Sequence, residues 1–160
     1  MTDAPHRMVA EQRWFEDFAL GERFVLPSRT MTDAVFLAFQ AASGDRHPIH
    51  YDREFCRAHG FPEMLAHGFQ TLIQTAPGAG LLPFLIEESL RGFLEQSSRF
   101  LHPVLVGDTL YPVLEVDELS PGRSTGVLGL ASRVHNQKDV LVLEGRQRFL
   151  LGKRPAVTRG

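Results

Sequence analysis

The sequence predicts a single α+β domain, and three observations lead there. Apolar residues recur at helical spacing in the first half of the chain, over 34–42 and again at Phe69, Leu72, Ile73 and Ala76. From Phe93 onward the period becomes that of strands, over 93–101, 109–119, 124–135 and 140–151. Turn signals at Gly107-Asp108, Ser120-Pro121-Gly122 and Asn136-Gln137-Lys138-Asp139 separate these runs, so about four strands should pair antiparallel. A length of 160 residues suits one domain with its own core, and no repeat, low-complexity stretch or linker divides it.

Taken in order, residues 1–13 are polar, lack the apolar stretch of a signal peptide, and read as a flexible N-terminal segment. The domain is expected over 14–152, followed by a tail at 153–160. Trp14-Phe15-Glu16-Asp17-Phe18 leads through a turn at Leu20-Gly21-Glu22 into a short strand at 23–26. Thr32-Asp33 is a helix start, with a capping oxygen and an acid that complements the helix dipole. The run 34–42 is apolar nearly all round, which predicts a buried helix, and Gly44 ends it. Residues 43–51 should be loop, because Pro48 fixes its own φ and pushes His47 out of the helical region. Asp52 then caps a short helix over 53–59 that Gly60 closes. His67-Gly68 opens a third helix over 69–76, which Pro77-Gly78-Ala79-Gly80 must interrupt, and 81–90 can resume it. Among the strands, Pro112 predicts an edge or bulged position. In the last strand Leu141, Leu143, Phe149 and Leu151 share one face, against Arg146 and Arg148 on the other.

Charge and composition exclude several functions. The net charge is -2 and the pI about 6.4, so no basic field exists to hold nucleic acid or an anionic membrane. The most apolar run, 80–86, is too short to span a bilayer and contains Pro83. Lys138 and Lys153 are the only lysines; the arginines suit planar recognition of phosphate or carboxylate, and equally a solvated surface. Cys56 is the only cysteine, so no internal disulfide can form, and it reads as a small core residue. A cytoplasmic location is expected.

The residues that can carry chemistry lie in Ser43-Gly44-Asp45-Arg46-His47-Pro48-Ile49-His50-Tyr51-Asp52 and in Leu65-Ala66-His67-Gly68. A carboxylate and an imidazole on a stiff loop, Asp45 and His50, can hold a water and exchange protons with it near neutral pH. The same residues admit a structural reading, with Asp45 satisfying loop N–H groups and His50 pairing with Asp52. If a helix opens at Gly68, its unpaired N–H can polarise a carbonyl oxygen; close packing is the other use of a glycine there. The histidines at 47, 50, 59 and 67 form no recognised zinc pattern, and no metal is expected.

Together these two motifs resemble the hydratase signature of the MaoC-like family, the hotdog-fold (R)-specific enoyl-CoA hydratases and dehydratases. The likeness extends to Trp14-Phe15-Glu16-Asp17-Phe18, to Ser28-Arg29-Thr30-Met31-Thr32, to Arg99-Phe100-Leu101-His102-Pro103-Val104 with Gly107-Asp108-Thr109-Leu110, and to Asn136-Gln137 through Leu143-Glu144-Gly145. The resemblance implies a long central helix wrapped by a curved antiparallel sheet, and a homodimer with a CoA tunnel near its interface. It makes Asp45 and His50 the catalytic pair and Gly68 the donor to a thioester carbonyl. It also places His47, His67 and Ala76 at the substrate, an acyl-CoA thioester, with no cofactor. Two departures stand out: the family usually has asparagine at the position of His47, and some bacterial members a serine at that of Ala76. A hotdog thioesterase and a non-catalytic acyl-CoA-binding subunit are the alternatives; thioesterases usually lack the Asp45–His50 loop.

Overall fold

The computed structural model of the chain describes residues 9–156. Most of the expected flexible N-terminal segment and the end of the C-terminal tail lie outside them. Six strands form one antiparallel sheet: β1 (Arg23–Val25), β2 (Arg29–Thr30), β3 (Leu90–Phe100), β4 (Thr109–Pro121), β5 (Thr125–Asn136) and β6 (Leu141–Gly152), ordered β1-β4-β5-β6-β3 with β2 also on β4. The four long strands coincide with the four sequence runs to within a few residues at each end. Pro112 occupies the gap between the β1 and β2 pairings of β4, so its missing N–H interrupts no ladder. The bulge of β4 falls instead between Val116 and Glu118.

The inner face of the sheet carries two apolar clusters. One gathers Phe15, Phe18, Leu82, Leu114, Leu128 and Phe149; the other gathers Met31, Phe36, Cys56, Leu110, Val134 and Leu143. Between them lies a polar seam. The buried Gln147 donates from Nε2 to the Thr75 carbonyl at 3.0 Å and to its Oγ1 at 2.9 Å, tying the helical layer to the sheet.

That layer contains α1 (Asp33–Ser43), α2 (Arg53–Ala58), α3 (Gly68–Leu72) and α4 (Leu82–Leu85). Capping follows the sequence: Thr32 and Asp52 side chains accept N–H groups from Val35 and Phe55, and Gly44 ends α1 at φ 72°. The expectation that α1 is buried is corrected. Only Phe36 of its residues is buried, and Leu37 is 66% exposed. Its alanines favour helix without needing burial, so an apolar composition there reports propensity rather than a core position. The third helix becomes irregular early. After Leu72 it tightens into a 3-10 turn at Ile73–Thr75, a second at Pro77–Ala79, and resumes as α4, as the Pro77–Gly80 interruption predicts.

Candidate active site

Two backbone contacts join the two sequence motifs. Residues 64–66 lie against residues 104–106, with Ala66 N–H bonded to Val104 O at 2.8 Å and Val106 N–H to Met64 O at 3.0 Å. In that position the Leu65 N–H donates to Ile49 O at 3.0 Å, and the Leu65 carbonyl lies 2.7 Å from His50 Nδ1. A carbonyl can only accept, so Nδ1 carries the proton and the Nε2 of neutral His50 is a bare lone pair. Burial holds the His50 imidazole below its ordinary pKa. The bond to Leu65 opposes this, and His67 adds to it; Asp45 raises and His47 lowers to a smaller extent.

Asp45 is held at the loop's turn. Its N–H donates to Ser43 Oγ and its Oδ1 accepts the His47 N–H, each at 3.2 Å, leaving Oδ2 for other partners. The loop-satisfying role is therefore real, and it uses one of the two carboxylate oxygens. Asp52 is occupied as the cap of α2.

Asp45, His50, His67 and Gly68 line one pocket of about 410 Å³ with Phe39, Ser43, Phe69 and Phe100. Gly68 is the first residue of α3, where an N–H has no partner within the helix. A Cβ at Gly68 would stand 3.2 Å from the Phe100 ring, so close packing also favours the glycine. His67 is buried, stacks on His50 at 3.6 Å between ring centroids and 22° between planes, and puts Nε2 3.9 Å from Asp45 Oδ2.

Two further candidates lie apart. His47 is exposed and outside this pocket; its Nδ1 accepts the Ile49 N–H at 3.3 Å, capping the turn Pro48–His50 as an asparagine oxygen would. Ala76 lines a separate pocket of about 300 Å³ with Leu72, Ile73, Pro77, Phe93 and Phe149.

Ligand atoms of Asp45, His50 and His67 lie within 4.8 Å of one another, close enough to raise the question of a metal ion. His50 Nδ1 is taken by the Leu65 carbonyl, so Nε2 is the ligand atom this ring has left to offer.

The MaoC like domain matches residues 17–136 of the chain. The chain belongs to the MaoC-like family. It is 31% identical over 144 residues to the 3-hydroxybutyryl-CoA dehydratase of Methylorubrum extorquens, covering 86% of this chain and 85% of that protein. Among solved structures it is similar to the monoamine oxidase regulatory protein of Archaeoglobus fulgidus, with TM-score 0.84, 29% identity, and 93% and 100% of the two chains covered. It is also similar to the (R)-hydratase of A. caviae, with TM-score 0.71, 28% identity, and coverage of 88% and 99%. The sheet and its helical layer are the hotdog fold that the resemblance implied, with the long central helix broken into α3, two 3-10 turns and α4.

In this MaoC-like chain, sequence reasoning missed Gln70, Phe39, Phe69, Ser43 and Phe100. Gln70 left a signal: it stands three residues after His67, the spacing of a side chain that reaches back to the helix's first N–H. Ser43 and Phe69 stand close to Asp45 and Gly68 in sequence, and Phe39 and Phe100 are brought in by the fold alone.

Proposed function

We propose that this chain catalyses the reversible addition of water across trans-2-enoyl-CoA thioesters, giving (R)-3-hydroxyacyl-CoA. The observation that carries the reading is the shared pocket of Asp45, His50 and Gly68, in which the His50 Nδ1–H bond to Leu65 leaves Nε2 as a base. The Asp45–His50 pair activates one water, whose hydroxyl adds at C3. The proton taken from that water is delivered to C2, so the pair ends each turn in its starting state. Electron density displaced from the double bond collects on the thioester oxygen, where the Gly68 N–H stabilises it. No cofactor is called for, since the thioester is the electron sink. The (R) configuration draws on the likeness to the A. caviae hydratase.

A homodimer belongs to the same reading. β3 is one edge of the sheet, and Phe93, Leu94 and Phe100 on it are exposed together with Phe69 and Ile73. Phe69 and Phe100 are also walls of the site, so a second copy seated there closes the pocket. No helix among the described residues is long and apolar enough to cross a membrane. The test is loss of the conjugated enoyl-thioester absorbance with a panel of enoyl-CoAs, followed by chiral analysis of the product. Release of free thiol without hydration would instead establish the thioesterase.

A further inference from the structure

Gln70 is fully buried, yet its amide nitrogen finds no hydrogen-bond partner among the described residues. A leucine would fill the same space without stranding an amide. What leucine could not do is accept from His67. Gln70 Oε1 lies 3.3 Å from the His67 backbone N–H and 3.2 Å from His67 Nδ1. The backbone N–H can only donate, so it fixes which end of the carboxamide is oxygen. That oxygen in turn requires the His67 proton to be on Nδ1. His67 Nε2 is then a buried lone pair with no hydrogen-bond partner, 3.9 Å from Asp45 Oδ2 and beside the stacked His50 ring.

We propose that Gln70 and His67 are positioning residues of the hydration centre: Gln70 locks the His67 proton on Nδ1, and the uncharged His67 ring holds Asp45 and His50 free to act on water. This rests on the hydratase reading and deepens it. With the proton on Nε2 instead, His67 would turn an N–H toward Asp45 Oδ2, 3.9 Å away, and compete with water for the oxygen that the loop leaves available. A cationic His67 stacked at 3.6 Å would also oppose any proton arriving on His50. The titratable groups around His50 are Asp45 and His47 from its own loop, His67 ahead of α3, and Cys56 of α2, whose Sγ–H donates to Ile49 O. Phe39 of α1 and Phe100 of β3 bring no charge to the pocket.

Histidine-selective 15N NMR of the unaltered protein reads the lock directly. His67 is expected with Nδ1 protonated and Nε2 bare at neutral pH, and a protonated Nε2 there overturns the inference. Gln70→Leu should mix the two tautomers. His67→Phe keeps a stacked ring and removes both nitrogens. It takes no charge from beside His50, so the His50 titration midpoint and the acid limb of kcat/KM should stay together and not move to higher pH. A joint rise of midpoint and limb in this variant would mean that His67 carries charge beside His50 and would overturn the proposal. The NMR midpoint needs no substrate, so an unaltered protein that shows the expected tautomer but hydrates nothing overturns the hydratase reading alone.

Discussion

Gly68→Ala separates the two uses of this glycine. Its new methyl would stand 3.2, 3.4 and 3.5 Å from three atoms of the Phe100 ring. These are tight contacts that a shift of the ring by a few tenths of an ångström relieves. The stability cost should therefore be about 1 kcal/mol, at the low end for overpacking, and the melting temperature should fall by about 2–4 °C. Activity should fall further. The N–H remains, but the methyl crowds the thioester it serves, so kcat should drop about 10- to 100-fold, short of the loss expected when such a donor is removed outright. Thermal melts and initial rates on one enoyl-CoA measure both. Adding Phe100→Leu should restore the melting temperature and leave kcat low. A Gly68→Ala protein that melts normally and turns over at the unaltered rate would refute the placement of the thioester carbonyl at this N–H.

Three other outcomes are expected. His50 is held below its ordinary pKa mainly by burial, so the folded state binds its proton less readily than the unfolded chain. The stability this residue contributes should be complete above about pH 6.5, the ordinary histidine value, and lost as pH falls through the lower folded value. His50→Asn should flatten that part of the curve of melting temperature against pH. Ala76→Leu should fill part of the pocket of about 300 Å³ beside Leu72 and Phe149, lowering kcat/KM for long enoyl chains while sparing crotonyl-CoA. Gly126→Ala would drive a methyl to 2.3 Å from the buried Phe15 ring, and denaturant unfolding should show a loss of about 1–3 kcal/mol or more.

The sheet was legible because each long strand carries its own period and its own turn. β2 was not, because a pair of residues, Arg29 and Thr30, has no period to read. α1 misled because alanine raises apolar content and helix propensity together, and only the fold shows that Leu37 faces outward. Asp45, His50 and Gly68 stood out because Gly44, Pro48 and the helix start at Gly68 are local signals of rigid backbone. The stack of His67 on His50 was not legible. It depends on Leu65 being pinned between Ile49 and His50, a contact between segments that no spacing encodes. Gln70 follows from that stack, so its importance surfaces only once the ring is in place.

The central claim is that Asp45 and His50 act together on one water. Initial rates of enoyl-thioester hydration by Asp45→Asn and His50→Ala, each first shown to fold, test it most directly. Losses on the order of 10²-fold or more are predicted for each variant, as for removal of positioned acid–base groups. A folded variant of either kind that hydrates enoyl-CoA at the unaltered rate would contradict the account.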